Sequence, residues 1–412
     1  MSTKKIAVIG GGAAGYFSAI AAAEANRDCG VTLFEATNKP LAKVLISGGG
    51  RCNVTHNCFD SSVLVQNYPR GSKELRGAFS RFAVGDTVSW FESKGVRLKA
   101  EADGRMFPVT DTSQTIANAL KEGAAHGGVE VRSGAKVTEI GLSAGEERLF
   151  SVSALRQETQ TFSAVILATG GSRQGFELAR ALGHTIVAPV PSLFTFKVAD
   201  KRLAGLAGIS FPNTRISLKL ESGQKFVQAG PLLITHWGLS GPGVIKLSAL
   251  AARELFNQNY QARLTLNFLP QYNQDTVFAE LQKVKETIAT KEVKTVAFEG
   301  IPKRYWQNLI GCLGLADGTV WAEISKKQLR RLAAELVAAE FELQGKGVFK
   351  EEFVTAGGVT LSEIDFRSMQ SRICPGLYLA GEVLDIDGLT GGFNFQAAWT
   401  TASIAGQAAA TP

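Results

Sequence analysis

The glycine-rich stretch at residues 6–36 constrains this chain more than any other segment. A β-type run from Ile6 to Ile9 leads into glycines at positions 10, 12 and 15. An alanine-rich helical run follows, and a second β-type run from Val31 to Phe34 ends at Glu35. A strand, a tight glycine turn, a helix, a strand and an acidic residue in this order are the pattern of a dinucleotide-binding βαβ unit. The sequence therefore predicts a parallel α/β sheet built around this unit.

Each glycine of the turn has its own predicted role. Gly10 permits the turn, Gly12 lets the main chain approach a pyrophosphate, and Gly15 lets the helix pack closely against the strand. The N–H groups and the dipole at the helix start then hold the phosphates. Glu35 would accept hydrogen bonds from ribose hydroxyls and repel a 2′-phosphate, so FAD or NAD is expected rather than NADP. The alternative is a glycine-rich turn in an unrelated α/β protein.

The same segment imitates a secretory signal, because two lysines precede an apolar run that ends in small residues. Glycines at positions 10, 12 and 15 would break the helical core that such a signal needs. No stretch of 18 apolar residues is present, which argues against a membrane span. We therefore expect the segment to be a working part of the protein.

Length, cysteine usage and charge set broader limits. The 412 residues exceed one ordinary core, so two or three domains are expected. Five cysteines without a C-x-x-C pair argue against a disulfide framework or a structural zinc site and favour a reducing cytoplasm. No metal is expected. The net charge of +7 permits an anionic partner, although a solvated basic surface is the favoured reading.

The pattern of elements along the chain divides it into four parts. Alternating strands and helices over residues 1–190 predict the first part of a nucleotide-binding domain. Short alternating segments punctuated by Gly, Pro and Asn predict a β-barrel-like insert over 191–272. A nearly continuous helical period predicts a helical insert over 273–344. The β pattern resumes near Gly357, so residues 345–412 are predicted to complete the nucleotide-binding domain.

Three glycine loops should meet at the carboxyl edge of one parallel sheet, namely Gly10–Gly15, Ala168–Gly171 and Gly381–Gly392. Loops at that edge would converge on one long cofactor. The last loop leads into a terminal helix whose N–H groups would stabilise the negative charge of a reduced flavin. Glu382 and Asp385 would hydrogen-bond the ribityl and phosphate-linking region, the alternative being that they cap the helix.

The motifs AVIGGGAAG, LISGGGRCNVT, ILATGG, THWGLSGP and GLYLAGEVLDIDGLTGGFNFQAAW occur in this order over essentially the whole chain. In these motifs the sequence resembles the BaiN/YhiN-like (HI-type) family of FAD- and NAD(P)-dependent flavoproteins. The resemblance implies a discontinuous, glutathione-reductase-like FAD-binding Rossmann domain with a β-barrel-like insert and a helical insert. It also implies FAD contacts at Gly10, Gly12, Ala14, Gly15, Glu35, Lys43, Ser47, Gly49, Arg51, Asn53, Val137, Thr169, Gly170, Gly381, Glu382, Asp385, Gly392, Asn394 and Gln396.

Several residues are candidates for the chemical step. Cys52, in a glycine loop, and His56, four residues later, could each donate a proton, although both could be structural. His236 in the insert is a third candidate, and it and Trp237 could contact substrate. Arg51 would neutralise cofactor charge, with a surface salt bridge as the alternative.

The resemblance implies hydride transfer to or from flavin N5. The first hypothesis is an NAD(P)H-driven reductase of an electron-poor C=C bond, with uridine in ribosomal RNA as one candidate. No second nucleotide motif is present, so NAD(P)H is expected to visit the substrate face transiently. The second hypothesis is an amine oxidase of the aminoacetone type that uses oxygen, and the third is an FAD-stabilised binding protein. Four basic residues would suit an RNA backbone, although an ordinary solvated helix face is favoured: Lys326, Lys327, Arg330 and Arg331.

Overall fold

A computed structural model describes residues 4–143, 149–347 and 354–411 of the chain. The chain folds into two compact units. Unit 1 comprises Met1–Val190 and Val354–Pro412, and unit 2 comprises Pro191–Phe353. The first unit is therefore assembled from both ends of the chain. It resumes at Val354, later than the predicted position 345.

The described residues form runs of strands and runs of α-helices along the chain. The strands are β1 Lys5–Ile9, β2 Gly30–Phe34, β3 Thr55–His56, β4 Leu98–Ala100, β5 Arg105–Pro108, β6 Glu130–Arg132, β7 Val137–Leu142, β8 Phe150–Ala154, β9 Gln160–Phe162, β10 Ala164–Leu167, β11 Ile186–Ser192, β12 Phe196–Lys197, β13 Ser210–Lys219, β14 Lys225–Thr235, β15 Gly238–Ser240, β16 Gln261–Asn267, β17 Ala339–Lys346, β18 Val354–Val359, β19 Ile364–Asp365, β20 Gln370–Ser371 and β21 Leu377–Leu379. The helices are α1 Ala13–Ala25, α2 Ala42–Gly50, α3 Ser61–Leu64, α4 Ser72–Phe79, α5 Val84–Ser93, α6 Ser113–His126, α7 Arg173–Ala181, α8 Pro242–Leu250, α9 Ala252–Asn257, α10 Gln274–Thr287, α11 Lys303–Cys312, α12 Lys326–Val337 and α13 Phe393–Ala410.

Unit 1 is organised by a seven-stranded sheet in the order β19-β20-β21-β10-β1-β2-β6. The strands from β21 to β6 are parallel, and β19 and β20 add an antiparallel edge. Central strands read as continuous apolar runs because both faces are covered, and Ile6–Ile9 are at most 4% exposed. The parallel order brings the loops after β21, β10 and β1 to one edge, which confirms the predicted convergence of the three glycine loops.

Helices α1 and α13 pack side by side and run in the same direction. Gly381, at the loop before α13, lies against Ala14, and Gly406 lies against the main chain of Ser18. At the far end, the Asn26 amide donates to the carbonyl of Ala410 over 3.3 Å. A Cβ on Gly406 would lie 2.3 Å from the Ser18 oxygen, so glycine is needed for this close approach. Both helices therefore begin on the carboxyl side of the sheet.

Unit 2 contains a closed antiparallel barrel in the order β12-β15-β14-β13-β16-β17. Helices α10, α11 and α12 lie between β16 and β17 in sequence, as the helical period over 273–344 predicts. The predicted helical insert extends too far at its C-terminal end, because Ala339–Lys346 is the strand that closes the barrel. Its side chains alternate between buried and exposed, which is the two-residue period of a strand. Closure pairs β17 with both β16 and β12.

Candidate functional site

The first glycine turn is shaped by the protein's own packing at two of its three glycines. Gly10 has a φ of +112°, and a Cβ there would lie 2.4 Å from the Ala168 oxygen. A Cβ on Gly15 would lie 1.7 Å from the Gly10 oxygen. A Cβ on Gly12, in contrast, would meet nothing within 4 Å. The face of the turn at Gly12 is therefore open, while Gly10 and Gly15 are enclosed.

Glu35 is held beside this turn at the end of β2. One carboxylate oxygen accepts the N–H of Gly11 over 2.8 Å, and the other accepts the N–H and hydroxyl of Thr37 over 2.8 and 2.7 Å. Burial raises the pKa of Tyr16, and the charge of Glu35 raises it further. The half-buried carboxylate thus has a fixed position at the edge where a nucleotide ribose is expected.

A second open stretch of main chain lies at the end of α2. Ser47 leaves the helical conformation with a ψ of 152°, and the following glycines 48, 49 and 50 all have positive φ. A Cβ on Gly48 would lie 2.9 Å from the Phe107 ring, whereas Gly49 and Gly50 have nothing within 4 Å. The Ser47 hydroxyl donates to the Val44 carbonyl over 2.9 Å. The kink therefore presents bare main chain at Gly49 and Gly50.

The two basic residues near this stretch are already paired. Arg51 donates to Glu101 over 2.6 Å, lies 3.6 Å from Asp111, and places its guanidinium 3.9 Å from the centre of the Phe107 ring. This arrangement is the salt-bridge alternative that the sequence left open. Lys43 donates to Glu382 over 2.8 Å. Glu382 also accepts the N–H of Thr355 over 2.8 Å, so it joins α2 to β18.

The loop after β10 contains a buried hydroxyl without a partner. Thr169 Oγ1 is enclosed and makes no hydrogen bond within the described part of the chain. A Cβ on Gly175 would lie 1.8 Å from this oxygen, so the glycine makes room for it. Gly170 follows with a φ of +61°. Val137, the remaining predicted contact in this region, is 4% exposed and accepts a hydrogen bond from Gln174 through its carbonyl.

The third glycine loop joins β21 to α13. Gly381 has a φ of +74° and donates its N–H to the Thr401 hydroxyl over 2.9 Å. Asp385 is half-buried, and its N–H donates to the Val359 carbonyl over 3.1 Å. Helix α13 then begins after Gly392, which has a φ of +94° and provides no side-chain cap. The N-cap residue of α13 therefore contributes no side chain to the helix start.

Three predicted cofactor contacts instead hold the protein to itself through their side chains. Asn394 and the main chain of Gly388 exchange two hydrogen bonds of 2.8 Å. The Asn53 amide accepts the N–H of Gly392 and donates to the Thr55 carbonyl. Gln396 is 0% exposed, and its side-chain amide is bonded to three threonine hydroxyls.

The predicted proton donors have very different environments. Cys52 is 0% exposed, and burial raises the pKa of its thiol to about 12, which argues against a role as catalytic acid. His56 donates from Nδ1 to the Gly391 carbonyl over 3.0 Å and stacks on the Phe393 ring. His236 is exposed at the turn between β14 and β15 of unit 2. The neighbouring Trp237 donates to the Thr195 hydroxyl over 3.2 Å.

Sequence reasoning missed a buried ion pair beside the third loop. Arg70 binds both carboxylate oxygens of Asp387, which is 0% exposed. Tyr68, two residues earlier, donates its hydroxyl to the Phe393 carbonyl over 2.7 Å. One signal was present, because Asp387 lies in the apolar run VLDIDGL, where a carboxylate must find a partner if it is buried.

The arrangement in unit 1 fits an elongated, anionic dinucleotide such as FAD. Helices α1 and α13 both start without a side-chain cap, and an uncapped helix N-terminus favours negative charge. Bare main chain at Gly12, Gly49 and Gly50 offers contact without obstruction. Within residues 4–143, 149–347 and 354–411, no group of three or more His, Cys, Asp or Glu is placed to hold a metal ion. No helix in these same ranges has the length and apolarity to cross a membrane.

Comparison with solved structures supports the fold. The chain superimposes on 3-ketosteroid-Δ4-(5α)-dehydrogenase from Rhodococcus jostii RHA1 in complex with 4-androstene-3,17-dione, with a TM-score of 0.52 and 15% identity. The match covers 100% of this chain and 98% of that chain. A second neighbour is 3-ketosteroid Δ1-dehydrogenase from Sterolibacterium denitrificans, with a TM-score of 0.50, 11% identity and coverage of 99% and 100%.

Comparison of sequences identifies the family. The 3-dehydro-bile acid Δ(4,6)-reductase of Clostridium scindens is 29% identical over 98% of this chain and 99% of its own length. The ribosomal RNA dihydrouridine synthase of Haemophilus influenzae is 30% identical over 96% of both chains, and that of Escherichia coli is 29% identical over 96% and 95%. The model of the HI0933-like protein Rossmann domain matches residues 4–408. The chain therefore belongs to the HI0933-like family, and it is an FAD-dependent oxidoreductase.

Proposed function

We propose that this chain reduces a C=C bond conjugated to a carbonyl group, with FAD bound in unit 1 and NAD(P)H as the electron donor. The observation that carries the proposal is the pair of parallel helices α1 and α13, whose uncapped N-termini lie on the carboxyl side of one sheet. When bound, FAD supplies the hydride at N5, and the protein supplies position and electrostatics.

Main-chain groups form most of the proposed FAD site. The N-terminus of α1 would hold the pyrophosphate, and Glu35 would accept hydrogen bonds from the adenosine ribose. Lys43 would stay paired with Glu382 and leave that carboxylate one face for the ribityl hydroxyls. The remaining contacts that we propose are made by Gly10, Gly12, Ala14, Gly15, Ser47, Gly49, Thr169, Gly170, Gly381, Asp385 and Gly392.

The start of α13 would act as an electrostatic stabiliser. Its first-turn N–H groups are aligned by the helix and carry partial positive charge, so they favour negative charge placed at that end. Groups that are fixed before the reaction cost no reorganisation when charge develops. We therefore propose that this helix end faces the flavin ring and stabilises its reduced, anionic form.

The substrate class rests on what the named relatives have in common. A bile acid Δ(4,6)-reductase and a dihydrouridine synthase both add hydrogen across a C=C bond conjugated to a carbonyl. Such a bond accepts hydride at one carbon and a proton at the other. Because Cys52 is enclosed and His56 Nδ1 is bonded to Gly391, we propose the exposed His236 as the proton donor.

The proposal is tested by reconstituting the purified chain with FAD and following the flavin absorbance anaerobically. NADH or NADPH should bleach the flavin, and colour should then return on adding a steroid dienone or a uridine-containing ribosomal RNA fragment. Whichever acceptor restores the colour, the steroid dienone or the RNA fragment, indicates the class of substrate. Bleaching by an amine, with peroxide released in air, would contradict the proposal in favour of the oxidase. A protein that does not bind FAD would end it altogether.

The role of His236 has its own matched control. His236→Asn should lower the rate of acceptor reduction, while the rate of flavin reduction by NAD(P)H stays unchanged. His126→Asn changes another exposed histidine, at the end of α6 in unit 1, and should alter neither rate. Equal rates of acceptor reduction in the His236 variant and wild type would remove this residue from the proposal.

A further inference from the structure

The loop Ile386–Gly392 carries the start of α13, and the two hydrogen bonds between Gly388 and Asn394 join the loop to this helix. Gly391 and Gly392 have φ values of +133° and +94°, conformations that glycine adopts readily and that leave the loop soft. Neither glycine has a side chain that could anchor the turn. The position of this loop against the rest of unit 1 therefore depends on contacts from outside the loop.

Those contacts come from one stretch of chain, residues 53–71, which we call the brace. The brace contacts the second half of the loop and the first residue of α13 through main-chain and aromatic groups. The Asn67 carbonyl accepts the N–H of Leu389 over 2.8 Å, and the Tyr68 hydroxyl donates to the Phe393 carbonyl over 2.7 Å. A Cβ on Gly388 would lie 3.1 Å from the Tyr68 ring, so the ring rests against the loop.

Arg70 provides the charged contact of the brace. Its guanidinium binds both oxygens of the Asp387 carboxylate, and a main-chain β-bridge also joins the two residues. The Asp387 side chain is 0% exposed and that of Arg70 is 15% exposed. Next to this pair, a Cβ on Gly71 would lie 2.6 Å from Ile386, so the two segments touch without a gap.

A buried ion pair is a poor source of stability but a strict geometric constraint. The cost of removing two charges from water offsets much of their attraction, whereas a bidentate guanidinium–carboxylate contact allows only one relative orientation. We infer that Arg70 is a positioning residue, which fixes the loop through Asp387 so that the N-terminus of α13 meets bound FAD at the right place. This inference rests on the proposed function, because it takes FAD to be the group at that helix end.

The test compares variants by FAD affinity, visible spectrum, flavin midpoint potential and melting temperature. Arg70→Met should weaken FAD binding by about tenfold or more, shift the visible bands and lower the midpoint potential. The potential falls because displaced N–H groups no longer stabilise the reduced flavin. Arg70→Lys keeps the charge but not the bidentate contact, so its FAD affinity, spectrum and midpoint potential should lie between those of wild type and Arg70→Met.

Arg202→Met in unit 2 is the matched control. Arg202 is similarly enclosed at 14% exposure and binds both oxygens of Asp200 over 2.9 and 2.8 Å. Its loss should lower the melting temperature and leave the three flavin measurements unchanged.

A double variant separates position from charge balance. Arg70→Met with Asp387→Leu removes the buried carboxylate that has lost its arginine, so it should regain stability while the flavin defects persist. It also replaces the single variant if that one does not fold. Wild-type affinity, spectrum and potential in the single or the double variant would overturn the inference. A wild-type protein that binds no FAD would overturn the proposed function as well as this inference. FAD binding by the wild type is therefore measured before any variant is made.

Discussion

Gly12 and Gly15 lie three residues apart in one turn, but the protein itself excludes a side chain only at Gly15. At Gly15 the obstacle is the protein, since a Cβ would fall 1.7 Å from the Gly10 oxygen. At Gly12 the described structure offers no obstacle within 4 Å, and the φ of −87° suits any residue. If Gly12 is glycine for a reason, that reason lies in a ligand.

Alanine substitutions at Gly12 and Gly15 should therefore affect different quantities, namely FAD affinity at Gly12 and the free energy of unfolding at Gly15. Gly12→Ala should leave the free energy of unfolding of the FAD-free protein within about 1 kcal/mol of wild type and weaken FAD binding by about tenfold or more. Gly15→Ala should lower the free energy of unfolding itself, by about 1–3 kcal/mol or more, because the backbone must move. Denaturant unfolding and FAD titration measure the two quantities. A Gly12→Ala protein with wild-type FAD affinity would contradict the proposed phosphate contact.

The burial of Cys52 leads us to expect an unreactive thiol, which its position in a glycine loop would not suggest. A thiol with a pKa raised to about 12 is almost entirely protonated at pH 8, and this side chain is also 0% exposed. Iodoacetamide should therefore leave Cys52 unmodified in the folded protein and label it after unfolding, as peptide mass spectrometry would show. The partly exposed Cys29 and Cys58 serve as internal controls. Rapid labelling of native Cys52 would restore it as a candidate acid.

A hydrogen-bonded cluster of His184, Glu363 and Ser371 joins three elements at the antiparallel edge of the sheet. His184 donates from Nδ1 to the Glu363 carboxylate over 2.8 Å and contacts the Ser371 hydroxyl through Nε2 over 2.9 Å. The order of groups is that of a hydrolase triad. However, His184 and Ser371 are only 3% and 4% exposed, and the Ser371 oxygen also accepts two main-chain N–H groups. The cluster is therefore a clamp between β19, β20 and the end of α7.

The clamp predicts an acid-dependent loss of stability. Burial alone would raise the pKa of Glu363, but hydrogen bonds from Thr185 and His184 outweigh it and lower the pKa below its ordinary value. A lowered pKa adds stability above the unfolded-state pKa of about 4.3 and loses it as the pH falls through the folded value. The difference in unfolding free energy between wild type and Glu363→Gln should thus be at its maximum near pH 6 and decrease below about pH 4.3. Glu122→Gln, at an exposed position, is the control, and a pH-independent difference would contradict the assignment.

Elements with a strong period or a glycine signature could be predicted from the sequence, and others could not. Strand β1 is a continuous apolar run beside glycines, so its type and position were clear. Strand β17 consists largely of good helix formers, and only closure of the barrel by β16 and β12 makes AEFELQGK a strand. In the site, the open main chain of the glycine loops was predictable. The pairing of Arg70 with Asp387 was not, because 317 positions separate the two residues and only the folded chain brings them together.

The net charge is distributed unequally between the two units. Unit 2 contains 21 of the 44 Lys and Arg residues but 15 of the 37 Asp and Glu residues, so it carries +6 of the net +7. Helix α12 contributes the exposed residues Lys326, Lys327, Arg330 and Arg331, while Leu329 and Leu332 on its other face are buried. An RNA substrate, if this chain takes one, would therefore meet its favourable electrostatic field on unit 2.

Salt dependence separates an RNA-binding surface from an ordinary solvated helix face. Binding of a ribosomal RNA fragment should weaken steeply between 50 and 200 mM salt, by about 0.7 in the logarithmic slope for each phosphate contact. Changing the four basic residues of α12 to Gln should lower that slope and the affinity together. A variant with the same loss of charge in unit 1, at the exposed Arg27, Lys73, Lys121 and Lys136, should change the slope less. Equal effects of the two variants would show that α12 is only a solvated face, and salt-independent binding would remove RNA as a substrate of this chain.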